Sequence, residues 1–432
     1  MNLWQKETDM KNAWMVAKRY FWKCAKVTKT ERVIHLICDL IVYVVRVFTH
    51  KKRLLCRKAD SLEHYCAIKD ETMVEIEAKK KRLVYEAPFF EVSEEKKHEF
   101  ESPSIYVAIL HGVDVLSSSG LILTKKDVLY DPMKSDKEHR IKWPWMYLWG
   151  IRYKHMFLLV NRDVLEVDQA INLCGFGANN YYHFTVEILS RLAYTSQLPD
   201  ASKLPILIDE GIKAYPQLEQ LLNAVKFDHE IIYVPCEMRV KTHLLIQPSM
   251  NTWMPMNVES WKLFRISDNL IARSGITNIR SCLYRIMETQ GERKIYISRK
   301  NCDSSRLVNE AEMIPLFKEA GFEIVYPEYL SFEEQVRMFS SAKCIVGVTG
   351  AALTNILYCR QGTILGCIIP QEYEFCIYSS IAYAVGCQTL FLSPDIVFCS
   401  KDIAADRYRV DIGQCKRYVQ ELNKMCLQKR IR

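Results

Sequence analysis

The feature that most restricts the fold of this 432-residue chain is a regular alternation of apolar and helical segments in its last third. Ser331 and Glu334 form the S-x-x-E pattern that caps the start of a helix, and Gly321 stands where the preceding helix should end. Apolar strands that alternate with helices predict a parallel sheet covered by helices on both faces. The predicted strands are 294–298, 323–326, 344–348 and 363–369, and the predicted helices are 309–320, 332–341 and 351–358.

The middle of the chain continues this α/β pattern. It predicts helices at 178–195 and 215–226, and buried strands at 204–209 and 229–234. The polar helical stretch 257–287 predicts a domain boundary. A chain of this length suits two or three domains of about 150 residues each. We therefore expect a leader at 1–58, an α/β domain at 59–260, and a second α/β domain at 261–432.

The predicted leader holds the positive charge of the chain. Residues 1–58 contain 14 Lys or Arg against 4 Asp or Glu, an excess of +10, so the remainder sums to −2 of the total +8. This distribution argues against a general nucleic-acid binder. The stretch 33–48 is apolar but shorter than the ~20 residues that span a bilayer. Two interpretations stay open: a helix lying on an anionic membrane surface, or an amphipathic helix packed on the protein.

The 16 cysteines are scattered, without a CxxC pair or a zinc-site spacing. Cys344, Cys367 and Cys387 lie inside apolar runs, as small core residues do. The first 30 residues lack the apolar core that a signal peptide needs. We therefore expect thiols in a reducing compartment and a cytoplasmic protein. If the leader lies on a membrane surface, the protein would be peripheral at the inner face of the cell membrane.

One candidate binding segment is the run C-I-V-G-V-T-G-A-A-L-T-N at 344–355. An apolar strand leads into Gly347 and Gly350 and then into a helix, at the edge of a parallel sheet where ligands bind. Glycines let a ligand approach the backbone, and a helix start offers unpaired N–H groups to a diphosphate. The alternative is an ordinary tight turn between a strand and a helix.

A second candidate is the strand K-I-Y-I-S-R-K at 294–300, which is followed by Arg306. It brings Ser298 and Arg299 to its carboxyl end. A planar guanidinium matches two phosphate oxygens at once. The alternative is a solvated basic loop.

The third candidate lies on the predicted helix 178–195. His183 and Glu187 are four residues apart and share one face, and Arg191 follows one turn later. A His and a carboxylate together can bind a hydroxyl group and remove its proton. The alternative is an ordinary surface pair on an amphipathic helix.

Together these segments resemble glycosyltransferase family 61 over about residues 172–425. The family motif N-Y-Y-H-x-x-x-E-x-L-x-R-L is matched at Asn180, Tyr181, Tyr182, His183, Glu187, Leu189, Arg191 and Leu192. Its I-S-R strand and the following R-x-x-N-E are matched at Ile297, Ser298, Arg299, Arg306, Asn309 and Glu310. Its S-x-x-E-Q helix start and its loop G-x-H-G-A-x-L-T-N are matched at Ser331, Glu334, Gln335, Gly347, Gly350, Ala351, Leu353, Thr354 and Asn355.

The resemblance implies two Rossmann-like domains of GT-B type and an inverting transfer of a sugar from a nucleotide sugar to a hydroxyl group. The acceptor would be a glycan or a lipid-linked glycan, as in capsular or exopolysaccharide synthesis. The implied donor contacts are Ser298, Arg299, Arg306, Gly347, Thr349, Gly350, Ala351, Thr354 and Asn355. Asn180, Tyr182 and Arg191 would lie on the acceptor side, with Glu187 or His183 as the catalytic base.

The chain contains no DxD motif, so we expect neither a divalent metal nor another cofactor, and basic residues should hold the diphosphate. One residue departs from the family: Thr349 stands where the loop has a histidine. An alternative function is therefore a catalytically impaired protein that binds a sugar nucleotide or acts as a scaffold in polysaccharide assembly. A Rossmann protein that binds NAD is disfavoured, because no GxGxxG follows a strand.

Overall fold

The computed structural model describes residues 52–130, 148–151, 155–198, 200–254, 265–288, 290–300, 306–400 and 405–428. These residues form a mixed α/β protein. The described parts of Cys56–Leu158 and Val164–Arg432 make up one compact unit, to which the smaller sheet and the site below belong. Residues 1–51, with the apolar stretch 33–48, lie outside the described residues.

The strands and helices are numbered in chain order. The strands are β1 (Lys52–Ser61), β2 (Thr72–Glu77), β3 (Lys80–Glu86), β4 (Lys96–Ser102), β5 (Ile105–His111), β6 (Asp114–Leu116), β7 (Leu121–Leu123), β8 (Asp127–Tyr130), β9 (Leu148–Ile151), β10 (His155–Asn161), β11 (Val164–Asn172), β12 (Ile206–Asp209), β13 (Ile231–Val234), β14 (Arg239–Pro248), β15 (Arg293–Ile297), β16 (Glu323–Val325), β17 (Ala342–Val348), β18 (Ile364–Ile368), β19 (Gln388–Thr389), β20 (Asp395–Phe398) and β21 (Arg407–Arg409). The α-helices are α1 (Leu62–Lys69), α2 (Pro216–Val225), α3 (Arg273–Leu283), α4 (Glu310–Glu319), α5 (Phe332–Ser340), α6 (Ile377–Ala384) and α7 (Ile412–Gln428). Tighter or wider helical turns cover His183–Ile188, Leu189–Gln197, Ala201–Lys203, Glu210–Ala214, Ile266–Asn269, Tyr284–Ile286, Pro327–Tyr329, Ala351–Tyr358 and Gln371–Tyr373.

The larger sheet joins a parallel part to an antiparallel part. β13, β12, β11 and β14 lie side by side in this order and run parallel. β5 and β6 run antiparallel to β14, and β7 and β8 follow β6. The helical segment 183–197 and α2 connect consecutive parallel strands, which need crossovers of this kind. The carboxyl ends of β11 and β14 therefore meet at one edge of the sheet.

The smaller sheet has the order β16-β15-β17-β18-β19, and its neighbouring strands pair in parallel. Every residue of β18 is buried. α4 and α7 cover one face, where Phe317 and Tyr418 pack against Val346. α5 and α6 belong to the apolar cluster on the other face, with Phe339 and Ile381. This arrangement confirms the parallel sheet with two covered faces that the alternating pattern predicts.

The predicted elements of the smaller sheet lie within a few residues of the observed ones. The capping box is present, since Ser331 Oγ accepts from the Glu334 N–H at 3.3 Å and Glu334 Oε2 accepts from the Ser331 N–H at 2.7 Å. Gly321 has φ +80° directly after α4, a backbone conformation that glycine adopts without a Cβ penalty. These local signals determine where α4 ends and α5 begins.

The predicted helical leader is wrong over its last residues, because residues 52–58 belong to strand β1. β1 pairs in parallel with β8, with Lys58 opposite Asp127. The backbone partner of β1 is distant in sequence, so the local charge pattern carries no sign of it. Among the described residues, no helix combines the length and the hydropathy that crossing a membrane would need.

The hairpin β3–β4 and the loop within it pack against the C-terminal part of the chain. The Phe90 N–H donates to the Phe391 carbonyl at 2.8 Å, and the Phe391 N–H donates to the Pro88 carbonyl at 2.9 Å. The rings of Tyr85 and Tyr383 stack at 4.9 Å. The hairpin β3–β4 and its loop are therefore bound to the region that carries the smaller sheet.

Candidate active site

The two segments predicted to bind a diphosphate leave the smaller sheet at the same edge. β15 and β17 pair in parallel with Ile297 opposite Gly347, so the residues that follow each strand are neighbours. Ser298 is buried and its N–H donates to the Val325 carbonyl at 3.0 Å. The edge is formed by carboxyl ends of parallel strands, as expected for a ligand site in an α/β fold.

Arg299 lies directly over Gly350. A Cβ atom at Gly350 would collide with Nη1 of Arg299, and it would lie 3.1 Å from the guanidinium carbon. The Arg299 N–H donates to Oε1 of the buried Glu310 at 3.1 Å, which fixes the backbone that carries the guanidinium. The proximity of Arg299 to this loop, predicted from the sequence, is confirmed.

Arg306 adds a second guanidinium on this side. Its Nε is buried and makes no hydrogen bond with the described residues. Burial raises the pKa of the Tyr378 hydroxyl, and the charges of Arg306 and Arg299 oppose that rise, so both guanidinium groups lie within electrostatic range of Tyr378. The sequence patterns do not single out Tyr378, because it lies in an apolar helix outside the matched motifs.

The other predicted donor residues differ in their exposure. Thr349 is buried, with its N–H donating to the Ile368 carbonyl at 3.1 Å. Gly347 packs against Ile297, since a Cβ there would lie 3.2 Å from the Ile297 Cβ. Ala351, at the start of the helical turns Ala351–Tyr358, is partly exposed.

Thr354 and Asn355 lie inside the protein with no exposed surface. Asn355 Oδ1 accepts from the Tyr181 hydroxyl at 3.0 Å, and Asn355 Nδ2 donates to Gln335 Oε1 at 3.0 Å. Gln335 Nε2 in turn donates to the Pro327 carbonyl at 3.0 Å. The Asn355 side chain therefore connects the segment that carries His183 to the helix that follows the Gly350 loop.

The predicted pair on the middle helix is a direct contact. His183 Nδ1 lies 2.7 Å from Glu187 Oε2. The Glu187 side chain is only 4% exposed, whereas that of His183 is 16% exposed. Asn180 Oδ1 accepts from the Tyr182 N–H at 2.9 Å and so caps the segment. His183–Ile188 is a π-type turn, a widened turn often found at functional sites.

The loop before this helix fits closely around His183. The Phe176 ring lies 5.9 Å from the His183 ring, edge to face. Gly177 has φ +71°, and a Cβ there would lie 2.7 Å from His183 Cδ2. Neither residue was predicted from the sequence to lie in the site, although the run G-F-G between a strand and a helix cap is a signal that points to them.

Arg191 lies behind the pair and is buried. Its Nε donates to the Ile188 carbonyl at 3.4 Å and its Nη1 to the Pro248 carbonyl at 3.3 Å. Burial lowers the pKa of Arg191 to about 10, although the negative charge of Glu187 opposes this shift. Arg191 therefore keeps its charge at neutral pH. Oε1 of Glu187 is buried and has no hydrogen-bond partner among the described residues.

The residues predicted for the donor side and for the acceptor side lie near each other. The rings of Tyr182 and Tyr378 lie 6.3 Å apart, edge to face. Tyr182 precedes His183, and Tyr378 lies within electrostatic range of Arg299 and Arg306. Within the described ranges, no three His, Cys, Asp or Glu side chains are placed to hold a metal ion.

Two comparisons with known proteins bear on this site. A sequence model of the family Glycosyltransferase 61 matches residues 181–366. The matched region begins within the helix that carries His183 and ends in the smaller sheet, so it includes both halves of the site. No curated protein matches the chain.

Proposed function

We propose that this chain, a member of glycosyltransferase family 61 through its residues 181–366, transfers a sugar from a nucleotide sugar to a hydroxyl group with inversion at the anomeric carbon. The observation that carries the proposal is the placement of Arg299 over Gly350, on one side of Tyr378, with the His183–Glu187 pair beyond Tyr182 on the other. This arrangement places a cationic edge and a proton acceptor in one site.

The donor diphosphate would bind at the edge of the smaller sheet. Arg299 and Arg306 would neutralise its charge, because a guanidinium stays ionised and can contact two phosphate oxygens. The backbone at Gly347, Gly350 and Ala351 would approach the phosphates, with Ser298 and Thr349 beside them. In this scheme Thr354 and Asn355 support the loop from inside the protein. No divalent metal or other cofactor is needed for it.

The acceptor hydroxyl would react on the side of the His183–Glu187 pair. The pair removes the hydroxyl proton, the oxygen forms a bond to the anomeric carbon, and the bond from that carbon to the phosphate oxygen breaks. The nucleoside diphosphate leaves with the bonding electrons, and Arg299 and Arg306 stabilise its charge. A single displacement of this kind inverts the anomeric centre.

The proposed architecture is of GT-B type, with domains at 59–260 and 261–432. The parallel strands β11–β14 with their crossover helices would form the acceptor-side Rossmann-like domain, and the smaller sheet would form the donor domain. We further propose a cytoplasmic enzyme, peripheral at the inner face of the cell membrane, that acts on a glycan or lipid-linked glycan in capsular or exopolysaccharide synthesis. The basic leader 1–58 motivates the membrane contact.

The test is incubation of the full chain with UDP-glucose, UDP-N-acetylglucosamine and UDP-xylose, each followed by release of UDP. Without an acceptor, a glycosyltransferase hydrolyses its own donor slowly. We expect hydrolysis of one of them, and loss of it in Arg299→Ala. Arg293→Ala is the matched control, because Arg293 is an exposed arginine in β15 that pairs with Glu323. A protein that binds none of the donors would contradict the proposal.

Thr349 supports the alternative that the chain binds a sugar nucleotide without transferring it. A threonine hydroxyl offers one hydrogen-bond donor but not the positive charge of a protonated histidine. Binding of a donor without detectable hydrolysis or transfer would favour this alternative. Gain of hydrolysis in Thr349→His would then identify residue 349 as the reason.

A further inference from the structure

A cavity opens on the side of Glu187 that faces the larger sheet. It lies at the carboxyl ends of β11 and β14, and its wall includes Gly175, Phe176, Glu187, Arg191 and Met250. Its lining residues all come from the chain between Leu62 and Met250, so the donor residues of the smaller sheet take no part in it. The wall of the cavity is therefore formed by the part of the chain that precedes the smaller sheet.

Glu187 lines this cavity, and its side chain is only 4% exposed. Its Oε2 is held by His183 Nδ1 at 2.7 Å, whereas Oε1 is buried and makes no hydrogen bond with the described residues. Leaving a buried carboxylate oxygen without a partner is costly unless a ligand or water donates to it. The Tyr182 hydroxyl is also buried without a partner among the described residues, and Glu187 adds to the effect of burial in raising its pKa, so this hydroxyl lies close to the carboxylate. A ligand hydroxyl group in the cavity would be a second donor to the Glu187 carboxylate.

The other polar groups of the cavity wall are mostly occupied by the protein. Gln247 Oε1 accepts from Asn172 Nδ2 at 2.7 Å, and Gln247 Nε2 donates to the Pro248 carbonyl at 3.0 Å. Ser249 Oγ accepts from the Tyr106 N–H at 3.0 Å. The charged groups that remain for a ligand are therefore the carboxylate of Glu187 and the guanidinium of Arg191.

The remaining wall selects for a neutral ligand with an apolar face. Leu121, Ile122 and Leu129 are buried apolar side chains, and Phe176 adds an aromatic ring. The charges of Glu187 and Arg191 offset each other, so the cavity offers no net attraction to an anion such as a diphosphate. A pyranose ring has this character, because its C–H face suits apolar and aromatic walls while its hydroxyl groups donate hydrogen bonds.

We propose that this cavity binds the acceptor sugar, with the reacting hydroxyl group at the Glu187 carboxylate. The proposal rests on the function proposed above and specifies it: Glu187 is the group that takes the proton, and His183 is a positioning residue that holds the other carboxylate oxygen. The O–H bond breaks toward Glu187, the freed oxygen bonds to the anomeric carbon, and the nucleoside diphosphate departs with its electron pair. Gly175 and Gly177 let the loop before His183 pack closely against Ile188 and His183.

The binding claim is tested with simple neutral sugars. Methyl β-D-glucoside, methyl β-D-galactoside and methyl β-D-xyloside are titrated against the full chain by saturation-transfer NMR. Met250→Trp places a large ring at the partly exposed methionine of the cavity wall. Met425→Trp makes the same change at a partly exposed methionine of α7 outside the cavity.

We expect at least one glycoside to bind, Met250→Trp to weaken that binding by at least tenfold, and Met425→Trp to leave it unchanged. UDP binding should be the same in all three proteins. Glycoside binding that Met250→Trp does not affect, or no glycoside binding in a protein that hydrolyses a UDP-sugar, would overturn the cavity assignment. Glycoside binding in a protein that neither binds nor hydrolyses any UDP-sugar would instead overturn the proposed function.

The roles within the pair are tested by kinetics with the glycoside that binds. Glu187→Gln should lower kcat by about 10²–10⁴-fold, the usual contribution of a positioned base, without changing the KM for the donor. Glu71→Gln is the matched control, because Glu71 pairs with His111 Nδ1 at 2.9 Å outside the site.

His183→Asn keeps a hydrogen-bond donor near Glu187. If His183 only positions the carboxylate, this variant retains clearly more activity than Glu187→Gln. Its pH–rate profile shifts but keeps the fall in rate at low pH that a general base produces. Equal or greater loss in His183→Asn, with activity retained in Glu187→Gln, would assign the proton transfer to His183 and overturn the roles proposed here.

Discussion

Gly350 shows how one residue can determine the shape of the donor side. Its φ of 163° is extended backbone that any residue adopts, so its conformation does not require glycine. The requirement is space, because the guanidinium of Arg299 occupies the position that a Cβ would take. The atom in the way is the end of a flexible side chain, so a larger residue at 350 would displace Arg299 without unfolding the loop.

Gly350→Ala should therefore weaken the binding of UDP much as Arg299→Ala does, while the free energy of unfolding changes little. The loss of a charge-assisted hydrogen bond to phosphate is about 1.5–3 kcal/mol, or roughly 10- to 100-fold in affinity. Arg299→Lys should recover only part of it, because an ammonium group cannot make a paired contact. Isothermal titration calorimetry measures these affinities.

The control for Gly350→Ala is Gly211→Ala, since a Cβ at Gly211 would meet no atom within 4 Å. It should leave UDP binding unchanged. If Gly350→Ala and Arg299→Ala both bind UDP as tightly as the unmodified chain, the diphosphate lies elsewhere and the donor site must be reassigned.

Asp209 predicts a pH dependence of stability. Its carboxylate accepts the Gly175 N–H at 2.8 Å and also the Ser118 N–H, and so holds together two loops near the proposed acceptor cavity. Burial outweighs these two hydrogen bonds and raises the pKa of Asp209 from 3.8 to about 6. Because the pKa is higher in the folded chain than in the unfolded chain, the protonated Asp209 carboxyl group favours the folded state. This contribution to stability is complete below the unfolded-state pKa and is lost as the pH rises through about 6.

Asp209→Asn cannot ionise, so its stability relative to the unmodified chain should rise between pH 4 and pH 7, by on the order of 3 kcal/mol. Urea unfolding at several pH values measures the difference. Asp228→Asn, at an exposed aspartate, should show a difference that does not depend on this pH window. A constant difference for Asp209→Asn would show that the Asp209 carboxyl group titrates alike in the folded and unfolded chains.

At the scale of elements, a buried polar network joins the segment that carries His183 to the helical turns after Gly350. Tyr181 donates to Asn355 and lies 2.9 Å from the Tyr358 hydroxyl. Asn355 donates to Gln335, which is anchored on the Pro327 carbonyl. The motif residues Tyr181, Gln335 and Asn355 thus meet in space although they are far apart in sequence. These hydrogen bonds give the three motif residues a structural role that requires no contact with a substrate.

Asn355→Ala should lower the free energy of unfolding by about 1–3 kcal/mol, because Gln335 Oε1 would remain buried without its donor. UDP affinity should change less than threefold. Tyr181→Phe removes only one bond of the network and should cost less stability. If Asn355→Ala instead lowers UDP affinity tenfold or more at unchanged stability, Asn355 contacts the nucleotide directly.

At the scale of the whole molecule, the hairpin β3–β4 joins the early chain to the C-terminal region. Arg417 donates from Nε and Nη2 to the two carboxylate oxygens of Glu91, each at 2.8 Å. The Ser379 hydroxyl donates to the Tyr85 carbonyl at 2.5 Å, and the Tyr85–Tyr383 stack lies beside it. The apolar core is also shared, since Phe184 and Ile188 belong to the same buried cluster as Phe339 and Ile377. Because these contacts and the shared core join the two sides of the site, we expect both sides to fold together as one cooperative unit.

The N-terminal leader is tested by deletion of residues 1–51, because residues 52–58 are part of β1. The deleted stretch has 10 Lys or Arg and 4 Asp or Glu, an excess of +6. The full chain should float with phosphatidylglycerol vesicles at low salt and lose this binding at 0.5 M NaCl, where charges are screened. The shortened chain should not float, yet bind UDP normally. A leader packed on the protein would instead show as a lower free energy of unfolding in the shortened chain.

What the sequence by itself determined is local: the parallel sheet of the C-terminal part, the capping box at Ser331, the end of α4 at Gly321, and the contact between His183 and Glu187. Each depends on neighbours within a few residues, through hydrophobic period, capping or the i,i+4 spacing. The tertiary structure alone decided that β1 is a strand, that Asn355 faces Tyr181, and that Tyr378 lies between the two sides of the site. These features depend on partners more than 15 residues apart in the chain, and no local pattern encodes which distant side chain will fill a given space.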